Sequence, residues 1–413
     1  MIKTNDEATK RLKTANKQLL LDSFFRTAIG SKLPLAFWRK PNEATQHLIV
    51  DLSGSALKQV PDLENLPSGF VVAPFDNQDQ AYFLHADVHV EVPDTLVMES
   101  FRSQEFGSTE RANKEQFFEQ WHQYIDQNTF ADLPYYTGTA IESRFTEMNQ
   151  QNFEALVAKG VETIKSGAFH KVVLSRKEHV ALPEGFNAVK TFLDLCEAYP
   201  TAFVSLVSIP NVGTWMGASP ETLVHTDENK QFHTIALAGT QARDAYEDLI
   251  DSMWRQKEIE EQAMVSRYII NCFKKIRLRE FEEIGPRTAQ AGSLIHLQTD
   301  FLVDMEAVNF LDLGSVMLKL LHPTSAVCGL PKAPSFDFIQ QYEGYNRELY
   351  SGYLGPVNIQ EDTHLFVNLR CMQLLETEAV LYAGGGVTQH SKPDREWHET
   401  AIKMEVMGKR LKG

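Results

Sequence analysis

Apolar positions recur with two periods along this chain, and they divide it into elements. Near the start, Leu19, Leu20, Leu21, Phe24 and Phe25 interrupt a polar stretch, and residues 1–30 read as helical. Between 34 and 95 the apolar residues fall in short runs such as HLIVDL and GFVVAP, which predict strands. ANKEQFFEQWHQYID over 112–126 predicts a helix, followed by a loop rich in Tyr, Thr and Gly. Further along, the pattern predicts a helix at 151–166 and a strand in FHKVVLSRKEHVAL (169–182). Strands follow at 202–209 and 231–238, then a long helix from about 246 to 277. A strand near 298–306 precedes helices near 311–321 and 336–349. A hairpin joins 364–374 to 378–383, and a closing helix begins near 394, with Asp394 as N-cap behind Pro393. Helices and strands are interspersed and several strand pairs look antiparallel. The expected fold is therefore mixed α/β of the α+β type, one domain on large, mostly antiparallel sheets with helices outside, and not a doubly wound Rossmann fold.

Composition narrows the partners. The formal net charge of -15 opposes nucleic-acid binding, which needs a basic surface to neutralise phosphates, and opposes docking on anionic lipid. An anionic small substrate remains compatible, provided that the cations holding it are concentrated locally. Cys196, Cys272, Cys328 and Cys371 form no CxxC pair and no zinc-type spacing, which suits a reducing compartment. The opening MIKTNDEATKRLK lacks the apolar core of a signal peptide, and no apolar run reaches the roughly 18 residues of a membrane helix. A soluble cytoplasmic protein is expected.

Candidate chemistry gathers in the second half. Glu396, Glu399 and Lys403 share one face of the closing helix at i, i+3, i+7, and Glu258 and Glu261 share a face of the long helix. Each set suits a solvated ion-pair ladder, but two glutamate-bearing helices facing each other would hold a hard cation such as Mg²⁺. Arg370 in LFVNLRCMQL alternates onto one strand face with Asn368, where a guanidinium could capture a carboxylate or lie in water at an edge. Gly384, Gly385 and Gly386, between a strand and the last helix, suit either an anion-binding backbone or a tight turn. Lys171 shares a strand face with Val173 and Ser175; a buried lysine there could act as a general base, an edge lysine would guard against aggregation. Glu221, after a Gly-Ala-Ser-Pro turn, could be no more than a first-turn acid.

In order along the chain stand KVVLSR (171–176), GASPETLV (217–224), ALAGTQAR (236–243), KEIEEQAMV (257–265) and HPTSAVCGLPK (322–332). YNRELYSGYLGPV (345–357), LRCMQL (369–374), YAGGG (382–386) and EWHETAIK (396–403) complete the series. This set resembles the chorismate-utilising enzymes, which include isochorismate, salicylate, anthranilate and aminodeoxychorismate synthases. The resemblance covers about residues 150–410. It implies that 146–413 form a chorismate-binding catalytic region and that 1–145 are a variable N-terminal part of the same fold.

The resemblance also implies roles. Family members add a nucleophile at C2 of chorismate while the C4 hydroxyl leaves. Glu221 stands at the position of the acid that protonates the leaving group. Lys171 stands at the position of the base that activates water, where ammonia-using members carry a glutamine. Glu261 and Glu399 match direct Mg²⁺ ligands; Glu258 and Glu396 match positions that reach the metal through water. Arg370, Lys403 and the Gly384, Gly385 and Gly386 backbone match carboxylate-binding groups. His296 in SLIHL matches a histidine lining the ring, and Gly239, Thr240, Ala326 and Val327 match positions near the substrate. The implied activity is that of an isochorismate synthase in menaquinone or siderophore biosynthesis, with a salicylate synthase as the alternative. No amidotransferase subunit is expected, and the family leans to a monomer. Four features depart from the pattern: Gln262 follows the metal glutamate in place of histidine, Gln241 replaces an arginine after AGT, Ser325 stands where proline is common, and the Gly239–Glu261 loop is short.

Overall fold

The computed structural model describes residues 17–76, 80–93, 108–127, 134–137, 148–242, 253–291 and 294–411. Alternation of buried side chains builds two sheets, each nine-stranded among these residues. The first runs, edge to edge, β14 (Gly329–Leu330), β7 (Lys171–Ala181), β18 (Glu378–Val387), β17 (Cys371–Leu374), β9 (Gly213–Ser219), β8 (Phe203–Ile209), β1 (Leu35–Arg39), β2 (Gln46–Val50) and β6 (Val88–Val92). The second runs β12 (Glu282–Ala291), β13 (Leu294–Asp304), β11 (Gln231–Ala242), β10 (Thr222–Thr226), β16 (Thr363–Val367), β15 (Tyr353–Val357), β4 (Gly69–Ala73), β5 (Ala81–His85) and β3 (Leu57–Gln59). The strand pairs are antiparallel, β7 with β18 and β11 with β13 the longest.

Strand β1 shows how the layers form. Ala36 and Trp38 point to the space between the sheets, while Leu35 and Phe37 point outward. Between the sheets, Phe203 stacks on Phe366 at 4.0 Å and Trp38 meets Phe70 at 5.3 Å. Outside the first sheet, Phe24 of α1 (Lys17–Gly30) packs edge-on against Trp121 of α2 (Ser108–Gln127), next to Phe192 of α4 (Ala188–Ala198). On the far side of the second sheet, Phe232 and Phe301 pack on Phe273 of α5 (Gln256–Lys275) and share a core with α6 (Leu313–Leu321). Each large side chain so buried contributes about 1.5–3 kcal/mol.

Local chemistry sets the helix ends. Asn149 caps α3 (Gln150–Lys165) by accepting from Asn152 N at 2.9 Å, and Asn187 caps α4 by accepting from Lys190 N at 2.7 Å. Proline occupies the first turn of α8 (Pro393–Gly408). Lys392 is therefore its N-cap, and Asp394 sits inside the first turn, not at the cap where sequence placed it.

Other boundaries move further. The expected helix at 336–349 is α7 (Lys332–Tyr342); Gly344, at φ +84°, ends it. The long helix starts at Gln256 and not near 246, part of that difference falling at 243–252, outside the described residues. Residues 1–16 and most of the Tyr/Thr/Gly-rich loop also lie outside them. The run 364–374 is not one hairpin strand: it breaks at Asn368–Arg370, and β16 and β17 belong to different sheets. Gly217, Ala218 and Ser219, expected in a turn, end β9; a Cβ on Gly217 would stand 3.0 Å from that of Cys371.

Candidate active site

Lysine 171 is the first residue of β7, pinned by pairing with Leu330 and by Ser335 Oγ donating to its carbonyl at 2.9 Å. Its side chain is fully buried. The ammonium lies 2.8 Å from Glu261 Oε1 on α5, a charge contact that is not aligned as a hydrogen bond. Beside β7 runs the glycine triplet. Gly384, Gly385 and Gly386 pair with Ser175, Leu174 and Val173, so the triplet is the end of β18 and not the turn that its composition also allowed. The absent side chains matter. A Cβ on Gly386 would come within 2.5 Å of Glu261 Oε1 and 2.9 Å of Lys171 Cε. On Gly385 it would stand 3.1 Å from Glu396 Oε2.

Helix α8 faces the same strand. Lys403 Nζ donates to Glu399 Oε1 at 2.7 Å, as the i, i+4 spacing allows, and to the Gly384 carbonyl at 2.8 Å. Glu396 is buried a turn earlier. Across the cavity, Glu221 lies between β9 and β10 with its carbonyl accepting from Val367 N at 3.0 Å. Burial pushes its carboxyl up to about 7, against the opposing pull of Lys171, Arg370 and Lys403 and a hydrogen bond with Thr324. Arg370 reaches the cavity from the break between β16 and β17 at φ +48°, not from a regular strand face.

Histidine 296 on β13 has Nδ1 at 2.7 Å from the Gly239 carbonyl, which makes Nδ1–H the donor and leaves Nε2 as the acceptor. Burial, then Arg370, pushes its pKa down to about 3, so the ring is neutral. Gly239 takes φ +67°, and a Cβ there would stand 3.1 Å from the Glu258 stem. Thr240 falls where the β11–β13 register shifts between Ala238 and Gln241; its side chain lies outside the described atoms.

One cavity thus gathers Glu221, Glu261, Glu399, Arg370, Lys403 and His296, with Gly239, Ala326, Val327, Gly384 and Gly386 in its wall. Lys171, Gly385 and Glu396 stand directly behind that wall. Glu258 is engaged differently, since its carboxylate accepts from Arg255 N at 2.9 Å and caps the first turn of α5. The four glutamates do not close on one point. Glu261 is drawn to Lys171 and Glu399 to Lys403, and among the described residues the tightest metal-type clusters lie elsewhere, at His47–His89–Glu91 and His225–Asp362–His364.

Two features escaped residue-level reading. Tyr350 is buried, lines the cavity and approaches Gly384. Glu343 and Arg347 form a buried bidentate pair with both contacts at 2.6 Å. Arg347 also donates to the Val173 and Val327 carbonyls, and Glu343 accepts from Ser175 N and Oγ. That clamp fixes β7 to the Ala326–Val327 loop. The motif YNRELYSGYLGPV contained both Arg347 and Tyr350, and Glu343 sits four residues before Arg347.

Comparison with known proteins agrees with this architecture. A family model described as chorismate binding enzyme matches residues 46–412. Isochorismate synthase EntC of Escherichia coli (strain K12) is 26% identical over 70% of this chain and 75% of its own length. Isochorismate synthase DhbC of Bacillus subtilis (strain 168) is 29% identical over 62% of this chain and 67% of its own. The structure of MenF, the menaquinone-specific isochorismate synthase from Escherichia coli, superposes with a TM-score of 0.69 at 20% identity, covering 92% of this chain and 89% of that one. Anthranilate synthase component I from Streptococcus pneumoniae superposes at 0.62 with 18% identity, over 90% and 89%.

Proposed function

The chain belongs to the chorismate-binding enzyme family, and from that premise we propose that it is a magnesium-dependent isochorismate synthase. One observation carries the reading: a fully buried lysine and a buried glutamic acid with pKa about 7 flank one cavity lined by cations and carboxylates. A lysine at position 171 suits activation of water, whereas the ammonia-using relatives carry glutamine there.

In the proposed reaction, Lys171 is the base that takes a proton from water as the water oxygen bonds to C2 of chorismate. Both ring double bonds shift, C1=C2 to C1=C6 and C5=C6 to C4=C5, the C4–O bond breaks, and Glu221 gives its proton to the departing hydroxyl, which leaves as water. General acid–base assistance of this kind is worth about 10²–10⁴-fold per group. Arg370 and Lys403 hold the substrate's carboxylates, and neutral His296 lines the ring without adding charge. The cavity cations supply local attraction that the acidic chain as a whole does not.

The donor set fits a hard divalent cation. Glu261 and Glu399 offer carboxylate oxygens, Glu396 stands behind them, and Gly385 and Gly386 leave the space beside those oxygens clear. Bound there, Mg²⁺ supplies Lewis-acid polarisation and a template for the ring carboxylate. It must compete with Lys171 and Lys403, which hold the same two glutamates.

Product analysis by chromatography tests the proposal, with purified protein, chorismate, and either Mg²⁺ or EDTA. Isochorismate formed only with Mg²⁺ is the expected result. Salicylate with pyruvate would move the protein to the lyase branch, and no conversion would overturn the enzyme reading.

A further inference from the structure

Six strands along the first sheet from β7, a second set of ligand-type side chains converges on β2 and β6. His47 lies opposite Glu91 in the β2–β6 register, and His89, two residues before Glu91, shares its face. His47 Nδ1 is 3.2 Å from His89 Nε2. One ligand atom from each of His47, His89 and Glu91 lies within 4.8 Å of the others. Two Zn–N bonds of about 2.05 Å at the tetrahedral angle separate their nitrogens by roughly 3.3 Å. In this structure the same two nitrogens share a hydrogen bond, with the rings 13° from parallel, and a small tilt of the rings would open their lone pairs onto one ion.

The surroundings match a built site. The other nitrogen of His47, Nε2, has the Glu43 carboxylate nearby, with Oε2 at 4.0 Å. Trp38 stacks on both rings, at 5.2 Å and 8° to His47 and 6.0 Å and 6° to His89, which fixes their planes. The nearby Lys40 ammonium is engaged by Asp362 at 2.6 Å. The His225–Asp362–His364 cluster is already charge-paired, because Asp362 bridges Lys40 and His225, whereas a cation at His47–His89–Glu91 would displace only the His47–His89 hydrogen bond and the one that Gln360 Nε2 donates to Glu91 Oε1. Two imidazoles with one carboxylate suit Zn²⁺ and not Mg²⁺.

We propose that His47 through Nδ1, His89 through Nε2 and Glu91 through a carboxylate oxygen form a zinc site, with water completing the tetrahedron, separate from the glutamate-lined cavity. Zinc there ties the edge strand β6 to β2.

The test titrates untagged, EDTA-stripped protein with Zn²⁺ by calorimetry in saturating Mg²⁺, and repeats it with Co²⁺, whose visible d–d bands report tetrahedral nitrogen and oxygen ligation. One equivalent of Zn²⁺ is expected. His89→Ala and Glu91→Gln should each weaken it at least tenfold, while Glu261→Ala and His225→Ala keep it and His89→Ala keeps the Mg²⁺-dependent turnover of chorismate. Should His89→Ala fail to fold, Glu91→Gln, on the half-buried rim, decides. Absence of zinc binding, binding undiminished in Glu91→Gln, or binding lost with Glu261→Ala or His225→Ala would overturn the site.

Discussion

At the scale of single residues, Glu221 couples stability to catalysis. Its folded-state pKa of about 7 lies above the ordinary 4.5, so the native state binds the extra proton between those values. Stability from this group is thus full below about pH 4.5, falls as pH rises through 7, and the loss is complete above it, on the order of 3 kcal/mol. Glu221→Gln mimics the protonated side chain. We expect the variant to unfold at higher denaturant than the parent at pH 8, with the gap closing at pH 5, while kcat drops by about 10²-fold or more. A parent-like kcat would remove Glu221 from the acid role; an unchanged gap across pH would contradict the raised pKa. Gly386 makes the complementary point. Gly386→Ala drives a methyl between Glu261 and Lys171, and kcat/KM should fall at least tenfold, because misplacement of about 1 Å is enough for such losses. Retention of parent-like steady-state kinetics would show that the cradle has slack.

Among the elements, the Glu343–Arg347 pair connects three segments that sequence leaves unrelated: the end of α7, the strand β7 and the Ala326–Val327 loop. Removing one charge leaves the other buried without a counterpart. Arg347→Met should therefore cost about 3–5 kcal/mol in urea unfolding, and the double variant Glu343→Gln/Arg347→Met should cost less than the sum of its singles. Additivity of the two would mean that Glu343 and Arg347 stabilise the fold independently of each other. The Asn187 cap is a smaller lever: Asn187→Ala should lose about 1 kcal/mol without touching turnover, as read by paired unfolding and activity assays.

For the molecule as a whole, the decisive property is charge placed against the average. A chain of net charge -15 brings Lys171, Arg370 and Lys403 to one cavity, and sets two of them against glutamates that a divalent cation would also bind. Mg²⁺ at a hundred times its Kd should then stabilise the fold by about 2.7 kcal/mol, read as an upward shift in Tm, and Glu261→Ala should abolish the shift. A persistent shift in that variant would place the cation elsewhere. No helix among the described residues is long and apolar enough to cross a membrane.

Periodicity by itself determined most helices and strands, because burial on one face writes a period of 3.6 or 2 into the residues; β7, β8 and α3 fall within two residues of their expected bounds. Ordered motifs pointed to the residues of the site, since the chemistry needs those side-chain types wherever the chain places them. Tertiary structure decided what spacing leaves open. Lys171 is buried and not an edge guard, because β14 covers its strand. The glycines form a strand end and not a turn, because β7 pairs with them and carboxylates need the room. Arg370 enters through a break between sheets, where strand alternation placed it on a continuous face. Glu258, expected from the motif to reach a metal through water, also accepts from Arg255 N and so caps α5, a bond that the motif does not reveal. In each case the deciding neighbour is distant in sequence, and a local pattern carries no record of a contact made only when the sheets close.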